Sequence, residues 1–177
     1  MRQLTDEEYA EKFCLMIFLD KKMIEGMDVY ADSIRHILES YSFILKSHPS
    51  MVIEDDETVK DPEEMRRLAA MLLTLCTSGT IKDTWKEDMR GRKRLLSLLA
   101  EALYRAMVLV GYYVRDGQEL ISLIKVIYLE SSNKSTIQIC MSCGMGRATF
   151  YRKKREALRY LGYFFYSIVL PDMMGKI

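Results

Sequence analysis

Nine glycines and three prolines are all that punctuate the 177 residues, and this scarcity of breakers constrains the fold more than any other property of the chain. Proline removes a backbone donor, and glycine costs about 1 kcal/mol relative to alanine inside a helix, so long stretches poor in both favour long helices. Those stretches are rich in Leu, Met, Ala, Glu, Lys and Arg, the residues that lose least side-chain freedom on a helix. An all-α protein is therefore expected. Apolar residues make up 49% and charged residues 29%, a globular balance, and the length allows one good-sized domain or a medium domain with an appendage.

Hydrophobic periodicity divides the chain further. Thr5 and Glu8 form a capping-box pattern ahead of Tyr9, Phe13, Met16, Ile17 and Ile24, predicting a first helix that stops at Gly26. From Asp28 a second helix places Ile34, Ile37, Leu38, Tyr41, Ile44 and Leu45 on one stripe and ends before His48-Pro49. These two are expected to pack as a hairpin. Residues 54–64 hold seven acids against one lysine, which reads as a surface loop, with Pro62 suited to the first position of a third helix. That helix, 63–78, would turn Leu68, Met71, Leu72 and Leu75 inward. A fourth pattern runs from Asp83 to Gly111, with Gly91 as a point of kinking or breakage. Its basic opening (Lys82, Lys86, Arg90, Arg92, Lys93 and Arg94) is interleaved with Asp83, Glu87 and Asp88 and reads as a solvated face. After Arg115-Asp116-Gly117 the helices become short. The expected organisation is an N-terminal helical bundle over residues 1–116 and a second domain over 117–177, beginning with a helix that buries Leu120, Leu123, Ile124 and Ile127.

The most informative stretch lies in that second part. Ser135 and Gln138 form another capping box, opening a helix about two turns long through Ile137, Ile139, Cys140 and Cys143. Gly144 suits the positive φ of a helix C-terminus, Met145 can fill the corner, and Gly146 opens a longer helix from Arg147 to Leu161. Two helices around a short glycine-containing turn make a helix-turn-helix unit. With Phe150, Ala157, Leu158 and Leu161 on the buried side, Ala148, Arg152, Arg155 and Arg159 fall on the outer side with Tyr151 at its edge. Residues 144–159 carry six basic side chains and one acid in a chain of net charge +1, so the outer side is a cationic ridge. Such a ridge can neutralise phosphates, and its arginines can bridge guanine O6 and N7. A merely solubilising face is the competing reading, and the turn in front weighs against it.

Positions 138–158, Gln-Ile-Cys-x-x-Cys-Gly-Met-Gly-Arg-Ala-Thr-Phe-Tyr-Arg-Lys-Lys-Arg-Glu-Ala-Leu, resemble the helix-turn-helix of region four of sigma-70-type factors without a gap. The run from Thr149 to Leu158 looks still more like the sigma-like phage regulators of the ArpU and RinA type, which activate late or lytic genes. The resemblance implies a core of Ile139, Cys143, Met145, Phe150 and Leu158. It implies a DNA-facing set of Arg147, Ala148, Tyr151, Arg152 and Arg155, with Thr149 and Lys154 beside them and Thr136 and Gln138 near phosphates at the start of the first helix. Gly146 departs from the usual Ser or Thr cap, and Lys153 stands where many sigma factors are apolar, its methylenes expected along the core edge with the amine in water. Residues 1–115 carry no likeness to the promoter-melting region, so this chain is not expected to open promoters alone. The implied function is a sequence-specific regulator of transcription that binds double-stranded DNA, of phage or prophage type, with RNA polymerase as a further partner. The alternative is a helical assembly module that binds RNA polymerase or a DNA-packaging complex and touches DNA only non-specifically.

Other chemistry finds little support. Cys140-x-x-Cys143 lacks a second ligand pair for zinc, and in the helix-turn-helix register both thiols act as small hydrophobes. His36 and His48 have no partners at ligand spacing, Ser131-x-x-Lys134 sits in a polar loop, and Gly144-x-Gly146 lacks the rest of a phosphate loop. No enzyme activity, metal or cofactor is expected. The acidic start has no secretory character, and four unevenly placed cysteines beside thirteen methionines fit a reducing interior, so a cytoplasmic protein is expected. The apolar run near the end, 163–170, interrupted only by Ser167, is far short of the ~20 residues that span a bilayer, so no membrane partner is expected. The aromatic tail (Tyr160, Tyr163, Phe164, Phe165 and Tyr166) is expected to pack on the N-terminal helices as core. Its alternative role is to pair two copies into a homodimer on half-sites one turn apart.

Overall fold

The computed structural model describes residues 5–8, 27–47, 61–78, 89–130 and 134–175, with the side chains of 47, 74–78 and 89–92 outside that description. Every regular element within them is a helix: α1 (Asp28–Ser47), α2 (Pro62–Ser78), α3 (Met89–Tyr113), α4 (Gly117–Ile124), α5 (Thr136–Ser142), α6 (Arg147–Phe164) and α7 (Leu170–Met173). α4 and α6 each run on into a π-helical turn, Lys125–Leu129 and Phe165–Val169. The expected helix over 9–26, and with it the hairpin, lies outside the described residues. Its cap is present: the Thr5 amide donates to Glu8 Oε2 at 2.8 Å and the Glu8 amide to Thr5 Oγ1 at 3.2 Å.

α1 buries Ile34, Ile37, Leu38 and Ile44 as its spacing predicts. α2 starts where the Asp61 carboxylate accepts from the Glu63 amide at 3.1 Å, just ahead of Pro62. Its buried stripe is narrower than predicted. Leu68, Ala69 and Leu72 face α1, α3 and α7, whereas Met71, expected inward, stands 55% exposed on the flank. α3 is continuous from Met89 through Gly91 and runs past Gly111 to Tyr113, so the expected break does not occur. It is the central helix, buried along Leu98, Ala102, Ala106, Leu109 and Val110 against α2, α4 and α6. Polar residues such as Ser97, Glu101 and Arg105 interrupt it, so no long unbroken apolar run marks it in the sequence. The stretch 93–113 has a mean hydropathy of 1.5 and is the one helix among the described residues long and apolar enough to cross a membrane, and 56% of it is buried inside the fold.

α1 lies across α6, and glycine sets how closely. A Cβ on Gly162 would meet the Tyr30 Cβ and carbonyl oxygen at 2.8 Å each, so only glycine lets the two backbones come this near. Tyr30 and Tyr166 stack beside the crossing, their centroids 5.4 Å apart. The aromatic tail packs as core: Phe164 and Phe165 are fully buried against α3, and Tyr160, Tyr163 and Tyr166 are half-buried. One apolar core runs from Ile34 on α1 to Met173 on α7. The expected division at 116/117 falls at the corner between α3 and α4, where Asp116 has φ 61°, and the core continues across it. A smaller cluster of Leu123, Ile139, Cys140 and Phe150 joins α4, α5 and α6.

Candidate nucleic-acid interface

The corner between α5 and α6 is built by local signals. Ser135 caps α5: its side chain accepts from the Gln138 amide at 3.4 Å, and Gln138 Oε1 accepts from the Ser135 amide at 2.8 Å. α5 closes in a Schellman arrangement, with the Met145 amide reaching the Cys140 carbonyl at 3.0 Å and the Gly144 amide the Met141 carbonyl at 3.2 Å. Gly144 sits at φ 62°, a conformation that costs a side-chain-bearing residue about 1–2 kcal/mol. Gly146 then opens α6 in an extended conformation without a side-chain cap.

Phe150 is the anchor, 2% exposed within the small cluster, with Ile139 buried and Met145 half-buried beside it. Leu158 is buried in the main core. Cys143, expected in the core, is exposed. As the residue that caps α5 it lies where the chain leaves the helix, and Met145 packs on the cluster instead. Ile137 and Met141, on the same helix, are 45% and 77% exposed.

On the opposite side of α6 the predicted residues fall into two groups. Arg147, Ala148, Tyr151, Arg152 and Arg155 are exposed, and Thr149 is half-buried. Arg147 and Arg152 have no acidic partner among the described residues. Tyr151 stands 57% exposed, its ring edge-on to Phe150 with centroids 5.3 Å apart. The other basic residues are engaged. Arg159 forms a two-pronged pair with Asp28, Nε to Oδ1 and Nη2 to Oδ2, and Arg155 Nε lies 3.8 Å from the same Oδ1. The Asp28 carboxyl is held below its ordinary range, chiefly by the Arg159 hydrogen bond, with the charges of Arg159 and Arg155 adding to it. Lys153 is 20% exposed and pairs with Glu119 of α4, so the amine expected in water is bonded. Lys154, expected beside the DNA-facing set, is half-buried with its amine 5.4 Å from the centre of the Tyr128 ring, and burial lowers its pKa. Thr136 is half-buried at the start of α5, and the Gln138 carbonyl is committed to the cap.

Tyr151, Arg152, Arg155, Glu156, Arg159 and Tyr160 line an open groove of about 500 Å³ along α6. Its chemistry is that of guanidinium forks between phenol rings, suited to a planar or anionic ligand. The basic face itself was legible in the sequence. Asp28 was not, because it lies 131 positions from Arg159 and no local pattern links them. Tyr128 beneath Lys154 likewise depends on a π-helical turn that carries no spacing signature. No family model, no curated protein and no solved structure matches this chain.

Proposed function

We propose that this chain is a sequence-specific transcription regulator that binds double-stranded DNA through α5 and α6, a helix-turn-helix of the sigma-70 region-four type, as in phage late-gene regulators. The observation that carries the reading is the corner at Gly144: it turns Phe150 inward while Arg147, Ala148, Tyr151 and Arg152 stay exposed near the start of α6. A helix presented this way fits a major groove, where arginine forks can read guanine edges and neighbouring charges neutralise phosphates. The same proposal includes a homodimer on half-sites one helical turn apart, for which the half-buried Tyr160, Tyr163 and Tyr166 remain at the surface.

A second reading has its own support. Ile137 and Met141, one turn apart on α5, present apolar side chains to solvent, as a surface for RNA polymerase or a packaging complex would. Under it, contact with DNA is purely electrostatic. Selection of bound duplexes from a random pool at physiological salt separates the two. A recovered sequence motif supports the regulator; binding without preference that falls steeply with salt supports the assembly module.

A further inference from the structure

The position of Asp28 is set by packing and not by its ion pair alone. It lies in the first turn of α1, and the crossing of Tyr30 over Gly162, with the stack of Tyr30 on Tyr166, holds that end of α1 against α6. There it meets two guanidiniums that also line the groove on the outer side of α6. A guanidinium fork accepts a carboxylate and a phosphate in the same two-pronged geometry. We propose that Arg155 and Arg159 form a seat for a backbone phosphate, and that Asp28 is its built-in competitor, occupying the seat until a duplex displaces it. This rests on the reading of α6 as the DNA-facing helix.

The arrangement has a direction. Arg147 and Arg152, without acidic partners among the described residues, are available at first encounter, and Arg155 and Arg159 become available only as Asp28 yields. The pair is exchangeable, since the Arg159 and Asp28 side chains are 28% and 45% exposed and such pairs are screened by salt. Phosphate contacts supply nearly all non-specific affinity, so closing this seat lowers binding to random DNA more than binding to a site read by base contacts. Asp28 is thus a specificity-determining residue that touches no base.

The test is a titration of the full chain with a labelled duplex of random sequence over a range of salt, for the unmodified protein, Asp28→Asn, Arg159→Gln and the double variant. Asp28→Asn is expected to bind about tenfold tighter near 0.1 M salt, with a log–log salt slope steeper by about 1–2, as one or two added phosphate contacts require. Arg159→Gln should cost several-fold in the Asp28→Asn background, removing most of the gain, and distinctly less in the unmodified protein, where Asp28 already opposes the contact. Unmodified protein that binds while Asp28→Asn keeps its affinity and slope overturns the competitor. A loss from Arg159→Gln as large in the unmodified protein as in Asp28→Asn does the same, because the guanidinium would then meet the DNA unopposed, and Asp28→Ser takes the place of Asp28→Asn if that variant fails to fold. Absence of any duplex binding by the unmodified protein is a different result, one that removes the proposed function and this inference with it.

Discussion

Arg152 stands on the exposed side of α6 and makes no ion pair among the described residues, although Glu156 lines the same groove one turn on, so truncating it removes no pair that the fold uses. Arg152→Ala is expected to weaken binding to a selected site by about 1–3 kcal/mol and to relax the choice at one base pair, with an unchanged helical spectrum. Gel shifts on the site and on its single-base variants check this, and undiminished binding removes Arg152 from the base-reading set. Tyr128 gives a prediction of the opposite kind. Its ring is buried and its hydroxyl has no hydrogen-bond partner among the described residues, and burial, helped by Glu39 and opposed by Arg35, pushes its pKa from 10.0 to about 12. The neutral phenol is therefore favoured by folding. Its contribution is whole below pH 10 and is lost as the pH rises towards 12. Tyr128→Phe should match or exceed the parent in stability at neutral pH, since it removes a buried polar group without a partner, and should flatten the alkaline fall in melting temperature. A neutral-pH loss like that of a core truncation would mean that the hydroxyl is bonded after all.

At the scale of single elements, the caps and corners carry the fold's local instructions. Ser135→Ala removes the hydroxyl that accepts from the Gln138 amide and leaves only the other half of the box, the Ser135 amide donating to Gln138 Oε1, at a cost of about 1 kcal/mol. Because α5 has only seven residues, the loss should appear first as faster amide exchange within α5, before any change in global melting. Uniform acceleration across α3 and α6 would instead tie α5 to the global unfolding unit. The same local character explains what was legible. The caps at Thr5 and Ser135, the left-handed Gly144 and the stripe of α1 each depend on residues within a turn or two of one another. Cys143 and Met71 escaped because a period places residues on a face without saying how wide the buried part of that face will be. Gly91 escaped because a glycine inside a helix costs only about 1 kcal/mol, which a helix of 25 residues can carry.

At the scale of the whole molecule, the crossing of α1 over α6 joins stability to the interface. Gly162→Ala drives a methyl group into the Tyr30 backbone and should cost about 1–3 kcal/mol as the helices part, read by urea unfolding. By shifting α1 it should also free Arg155 and Arg159 from Asp28, so a less stable variant is expected to bind random duplex more tightly, and weaker binding would contradict the coupling. The sequence by itself determined the all-helical character, the corner between α5 and α6, and which side of α6 bears the arginines, because each is encoded in spacings and backbone preferences of a few consecutive residues. Tertiary structure alone decided which of those cations are paired among the described residues. Asp28, Glu119 and Tyr128 reach Arg159, Lys153 and Lys154 only when separate helices pack, and Coulomb attraction and burial act over ångströms in space, with no regard for distance along the chain.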